Sequence, residues 1–512
     1  MENQHFLLIT CPFQGHLNPM LQLAKNLRQA GAARVTFATT VHGLTQIKTF
    51  PSLDGLYFAS FSDGFDDGIK HTTNSQDMLS ELKRAGSQTL TKLIMTFSKN
   101  RHPVSFLIYT LILPWAADVA RYMSIPSAFL YIQSATSLAL CHHFFNRHGG
   151  IYDLFNSSEN KPPSSIQVPG LPPFETEDIP SFLLPNGPHS SLNPVFQQHI
   201  QVLEQEPSPW VLLNSFDCLE EEVIAAIGNI SPIPIGPLIP FALLDKNHQS
   251  DTSCGCDLFE KSTEYIQWLN SKPKTSVIYI SFGSVAVLQK NQMEEMLLGL
   301  IGTCRPFLWI IRSSDNKDTE FEEMVREKVN KEKGLIVPWC SQMEVLAHES
   351  IGCYMMHCGW NSTMESLVAG IPVVGLPQFA DQTINAKMIE EVWGNGVRAR
   401  VNEGGIVEAE EIRRCLEVVI GSGEKGQEIR SNAKKWSGLA LDAVKDGGSS
   451  HNNLKAFLEN VTTSAKMING VFDGGAENKT KDATKPNENS KNSSHFSSRE
   501  SARDIQIQQV LN

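Results

Sequence analysis

Short apolar runs alternate with longer stretches of helical spacing along most of the chain, the pattern of an α/β protein with parallel sheets. Phe6 to Thr10 is a run of buried-strand type, and Cys11 to Asn18 reads as the loop after it. Asn18 is placed to cap a helix with Pro19 at its first position, and Leu21, Ala24 and Leu27 recur at helical spacing. Gly31 closes that helix and Arg34 to Thr39 supplies the next strand, completing one βαβ unit.

The middle of the chain changes character. Asn156 to Pro194 is crowded with Pro, Ser, Asn and Gly, which reads as loops and short helices lying over a surface. Ser231 to Pro240 is proline-stiffened and extended, and the polar, acidic stretch to Cys256 marks the domain boundary. Cys254 and Cys256 lie inside it; with no second pair, they read as a loop rather than a metal clip. Strand patterns then resume at Ser276–Ser281, Phe307–Ile311, Gly334–Val337, Ile351–Met356 and Pro372–Leu376, with a helix over Asn291–Ile301. The expected architecture is α/β, with two Rossmann-like, doubly wound domains facing across a cleft and ligands at the strand carboxyl ends. Residues 1–240 form the first domain, 241–448 the second and 449–465 a closing helix. Residues 466–512 turn to Asn, Lys, Ser, Asp and Glu, a composition too polar to offset its ordering entropy.

Charge narrows the partners. Forty-three basic against 55 acidic side chains give a net charge of -12, which disfavours nucleic acid or an anionic membrane as main partner. No run reaches the ~18 apolar residues of a spanning helix. The amino end lacks the basic region of a signal peptide, and the ten cysteines fall into no small-domain framework. A cytoplasmic protein with reduced thiols, acting as a monomer, is the expectation.

The densest chemistry lies between Trp339 and Gln382. Strand Ile351–Met356 feeds the turn His357-Cys358-Gly359-Trp360-Asn361-Ser362, which opens a helix to about Val368. A strand–turn–helix with Gly at its tight point presents free N–H groups and a positive dipole end; with His357, Asn361 and Ser362 it forms a diphosphate cradle. The glycine spacing is that of neither a P-loop nor a GxGxxG turn. Each residue also has a plainer reading. Ser362 and Glu365 fit a capping box, Trp339 and Trp360 fit core aromatics, and Asp381 with Gln382 fits a helix start. His348, Cys353, His357 and Cys358 lack metal-ligand spacing, so no metal is expected. Together the residues gather at the mouths of three adjacent βα units, which favours a ligand.

This block resembles the nucleotide-sugar signature of plant secondary-product glycosyltransferases, family 1 UDP-sugar enzymes of the GT-B fold. The resemblance implies that Trp339 stacks on uracil and that Gln342 and Glu365 bind the ribose. His357, Asn361 and Ser362 would hold the diphosphate, with Ser284 of Ser281-Phe282-Gly283-Ser284 beside them. Trp360, Asp381 and Gln382 would contact the sugar, and Cys340 and Gly359 complete the donor set. A closing Gln is the family's usual mark of UDP-glucose. No cofactor beyond that donor is implied. The likeness extends from about residue 4 to about 461, and only Met356 departs within the block, where Ser or Thr is usual.

Read alone, a single His after a strand is usually structural; Pro12 to Pro19, however, resembles the family's first loop, whose His is the general base, which implies a catalytic His16. The usual orienting Asp is missing: Thr110 stands in its place, before Pro114-Trp115-Ala116. A neutral Thr orients an imidazole without offsetting its charge. Acceptors that arrive ionised, carboxylates and acidic phenols, would need least help. Phe61 to Gly68 and Tyr109 to Trp115 resemble the branch of anthocyanin 5-O-glucosyltransferases and crocetin glucosyltransferases. The expected reaction is inverting, metal-independent glucosyl transfer to a small plant metabolite. Two alternatives stand: a UDP-sugar-binding protein with little transfer activity, and an epimerase or hydrolase using Asp381 with Glu365.

Overall fold

The computed structural model describes residues 4–69, 74–147, 152, 165–184, 187, 189–240, 264–312, 325, 327–330 and 332–473. Apolar runs become two wholly parallel sheets. The first holds β1 (His5–Ile9), β2 (Arg34–Thr40), β3 (Leu56–Phe61), β4 (Phe106–Tyr109), β5 (Ser127–Tyr131), β6 (Trp210–Leu213) and β7 (Ile233–Pro234). Its order is β3-β2-β1-β4-β5-β6-β7. The second holds β8 (Val277–Ser281), β9 (Phe307–Ile310), β10 (Gly334–Val337), β11 (Ile351–Met356), β12 (Val373–Gly375) and β13 (Gly396–Arg398). Its order is β10-β9-β8-β11-β12-β13. Every residue of β1, β4, β8 and β11 is buried, because helices cover both faces of a parallel sheet.

In each sheet the strand order reverses once, between β1 and β4 and between β8 and β11. Neighbouring loops diverge at such a point and leave a crevice beyond the carboxyl ends. His16 and Thr110 follow β1 and β4, while Ser284 and His357 follow β8 and β11. All but Thr110 line one shared cleft, and Thr110 lies buried behind His16.

Three expectations change. The helix after β1 starts at Gln14, not after Asn18, so His16 lies in its first turn and Pro19 inside it. Proline removes only the N–H that would reach the Gly15 carbonyl four residues earlier. That carbonyl instead accepts the Asn361 side-chain amide at 2.9 Å. The proline-rich middle, where described, is packed rather than superficial: its turns Thr176–Asp178 and Ser181–Leu183 bury Asp178, Ile179, Phe182 and Leu183. Apolar residues between the prolines anchor it. The closing helix runs Ser449–Asp473, past residue 465: Lys466, Met467 and Ile468 continue it, and Gly470 within it weakens a helix without barring one. It returns to the first domain, placing Phe457 at 5.4 Å from Phe106 and 5.3 Å from Trp210, ring to ring. The boundary stretch after Pro240, with Cys254 and Cys256, and the tail from residue 474 lie outside the described residues.

Candidate active site

A cleft of about 520 Å³ separates the halves, and every residue expected to bind the donor or act as base lines it. On the first domain, half-buried His16 sets Nδ1 3.3 Å from Thr110 Oγ1. Thr110 is fully buried and lies 3.2 Å from Thr10 Oγ1, so a short hydroxyl chain backs the imidazole. With Nδ1–H donating to that chain, the Nε2 lone pair is left for a ligand proton. Desolvation pulls the His16 pKa down to about 4, so the ring is neutral at physiological pH. Ile112, in the same loop, holds a left-handed φ of 73°, a strained geometry for a β-branched residue.

On the second domain the helix Trp360–Ala369 has Gly359 as its N-cap. The capping-box alternative for Ser362 and Glu365 therefore fails: Ser362 is already inside the helix. Both residues instead meet Gln342. Gln342 Nε2 donates to Ser362 Oγ at 2.9 Å and to Glu365 Oε2, while its Oε1 accepts Tyr354 and Tyr279 hydroxyls at 2.8 and 3.2 Å. The two tyrosines stack at 4.8 Å and were not legible as site residues. Burial raises the Glu365 pKa to about 7. Cys340 is buried with Sγ 3.4 Å from the Tyr279 hydroxyl, and Trp339 borders the cleft.

The turn after β11 is held open by its backbone. Cys358 takes a left-handed φ of 61°, and Gly283 leaves room for the His357 ring, which a Cβ there would meet at 2.9 Å. Desolvation and the positive charge of Arg312 lower the His357 pKa to about 4. Arg312, two residues beyond β9, was missed by sequence reasoning, as a lone Arg after a strand carries no signal. Trp360 spends its indole N–H on the Asn214 carbonyl across the seam at 2.7 Å. Asp381 Oδ2 accepts Asn385 Nδ2 at 2.8 Å, and burial raises the Asp381 pKa to about 6. Gln382 Oε1 accepts the backbone N–H groups of Gln378 and Phe379 at 2.8 and 3.1 Å, which leaves its Nε2 to donate elsewhere. Asn385, also missed, donates to the Cys358 carbonyl at 3.0 Å and lies 3.2 Å from Ser134 Oγ of the first domain. Among the described residues, no group of three or more His, Cys, Asp or Glu side chains could hold a metal ion. No helix there is long and apolar enough to cross a membrane.

Phe13, Phe65, Met78, Leu82, Leu111 and Phe182 make the first-domain wall of the cleft mainly apolar. A polar half lined by Gln342, Ser362 and Glu365 thus faces an apolar half, with the His16 imidazole between them.

Comparison with known proteins agrees with this geometry. The family "UDP-glucoronosyl and UDP-glucosyl transferase" matches residues 242–440. Phloretin 4'-O-glucosyltransferase of Malus domestica is 47% identical over 476 residues, covering 90% of this chain and 98% of that protein. Crocetin glucosyltransferase, chloroplastic, of Gardenia jasminoides is 47% identical over 466 residues, covering 90% and 98%. The crystal structure of Os79 from O. sativa in complex with UDP has a TM-score of 0.77 at 32% identity, covering 89% of this chain and 100% of that one. The two sheets, their shared cleft and these full-length likenesses show that the chain belongs to the plant UDP-glycosyltransferases and is a UDP-glucosyltransferase of the GT-B fold.

Proposed function

We propose that this enzyme transfers glucose from UDP-glucose, with inversion and without a metal, to a hydroxyl or carboxyl oxygen of a small plant metabolite. The observation that carries the reading is His16. It stands on the apolar side of the cleft, neutral and backed by Thr110, opposite the Gln342–Ser362–Glu365 network and the His357 turn.

In this reading uracil stacks on Trp339, and Gln342 and Glu365 take the ribose. Gly359, Asn361, Ser362, His357 and Ser284 receive the diphosphate at the helix N-terminus. Asp381 and Gln382 hold the glucose hydroxyls. Because its indole N–H is engaged, Trp360 reaches the sugar only through its backbone N–H, and Cys340 likewise serves through its backbone. His16 Nε2 takes the acceptor proton as the acceptor oxygen bonds to the anomeric carbon from the face opposite UDP. The bond from that carbon to the diphosphate oxygen breaks, and UDP leaves with the electron pair. Preorganised donors on that oxygen supply several kcal/mol.

Relatives named for phloretin, crocetin and anthocyanidin glucosides support flavonoids and apocarotenoid acids as the acceptors to try first. Thr110 favours those that ionise easily. The described cysteines are all free, which suits a reducing compartment such as the cytosol, and a monomer suffices because one chain supplies both walls. Incubation with UDP-glucose and a panel of flavonoids and carboxylic acids, read by mass spectrometry before and after mild alkali, tests the reading. A hexose adduct supports it, and alkali lability identifies an ester. Bound UDP-glucose with no adduct from any acceptor would favour a donor-binding protein.

A further inference from the structure

A buried charged cluster closes the seam beside the cleft. Asp178, from the first domain, is 3% exposed. Its Oδ1 lies 2.5 Å from Arg398 Nη1, and its Oδ2 lies 3.2 Å from Lys387 Nζ, both cations of the second domain and both buried. Oδ2 also accepts the Glu175 N–H at 2.9 Å. The outer charges are Glu391, 2.8 Å from Lys387, and Glu177, 3.6 Å from Arg398. Hydrogen bonds knit the same segments together. Thr383 Oγ1 donates to the Asp178 carbonyl at 3.1 Å, Ala380 N–H donates to Ser181 Oγ at 2.8 Å, and Ser181 N–H donates to the Ala380 carbonyl at 3.0 Å.

What these contacts join matters more than how many there are. Phe182, next to Ser181, lines the acceptor half and stacks on Phe196 at 4.0 Å. Asp381 and Gln382, next to Ala380, line the donor half. Ala380 itself has a left-handed φ of 58°, so the loop is held in a shape it would not keep alone. One knot therefore sets the distance between an acceptor wall and the loop that faces the sugar.

We propose that Asp178 is a positioning residue for transfer: it locks the acceptor wall at Phe182 to the sugar loop at Asp381–Gln382 across the domain seam. The inference rests on the reading that this loop holds the transferred glucose. Removing the carboxylate takes away the one anion the two buried cations share and leaves them only the outer, more exposed carboxylates of Glu391 and Glu177, so the seam parts locally. Uridine and ribose groups lie on other elements, so donor anchoring survives while the reacting carbon drifts from the acceptor.

The test uses the full chain with Asp178→Asn. Amide hydrogen exchange in peptides spanning 174–184 and 378–387 should quicken by about tenfold or more, with 351–369 unchanged. Binding of UDP, followed by calorimetry, should stay within about twofold, while kcat with phloretin falls by about a hundredfold. The share of UDP-glucose lost to water as free glucose should rise. Wild-type exchange in the seam, unchanged kcat, or a uniform quickening across both domains would each overturn the proposal. If Asp178→Asn does not fold, Ser181→Ala and Thr383→Val each remove a peripheral seam bond and should show the same local pattern, more weakly; wild-type exchange in both refutes the lock. Should the wild-type enzyme itself transfer nothing, the functional reading fails, and seam exchange still decides whether Asp178 holds the loop.

Discussion

Replacing Thr110 by Asp puts a carboxylate against the imidazole of His16. Thr110 Oγ1 lies 3.3 Å from His16 Nδ1 and 3.2 Å from Thr10 Oγ1, so a side chain of similar volume meets two donors there. In the wild type, desolvation holds the His16 pKa at about 4 against an ordinary 6.5 for histidine, which disfavours the imidazolium by about 3 kcal/mol. A contacting carboxylate raises such a pKa by about 1–3. If half of that gain is felt in the transition state, Thr110→Asp speeds transfer to a weakly acidic hydroxyl by roughly 3- to 30-fold. A carboxylic acid, already ionised at neutral pH, should change by less than about twofold. Initial rates on one acceptor of each kind, with saturating UDP-glucose, provide the comparison. The acidic limb of kcat/KM should also move to higher pH, because a raised pKa leaves the base protonated over a wider range. Equal gains on both acceptors, or an unmoved limb, would refute the reasoning.

Other consequences are as concrete. His16→Ala should lower transfer to a flavonoid hydroxyl by about 10²–10⁴-fold with UDP affinity intact, measured by kinetics and calorimetry. Glu365, held at a pKa of about 7, keeps its proton in the folded state above the unfolded value of 4.5, so its contribution to stability falls as pH rises between these values. Glu365→Gln should therefore raise Tm at pH 8 relative to wild type but not at pH 4, as scanning calorimetry would show. Trp360→Phe leaves the buried Asn214 carbonyl without its indole donor and should cost about 1–3 kcal/mol in urea unfolding.

The strands were legible because a parallel sheet buried on both faces demands continuous apolar runs; Gly334–Val337 and Ile351–Met356 have the ends their patterns predict. The donor block was legible because its residues are consecutive in sequence and arrive at neighbouring strand ends. What escaped depends on distant partners. Pro19 looked like a helix start because the acceptor of the Asn361 amide, the Gly15 carbonyl, lies 346 residues from it. Glu365 looked like a cap because nothing local reveals Gln342, 23 residues earlier, as its partner. Asp178 and Arg398 are 220 residues apart, and a single Asp among prolines has no pattern to read. Thr110 was the informative exception: a missing carboxylate in a motif pointed to the contact that the structure shows.

The decisive measurement is the anomeric configuration of the product made from UDP-α-glucose and a polyphenol such as phloretin, read by proton NMR of the purified conjugate. Attack from the face opposite UDP, with His16 taking the acceptor proton, yields a β-glucoside that is lost in His16→Ala. An α-glucoside, or a β-glucoside formed as fast without His16, would contradict it.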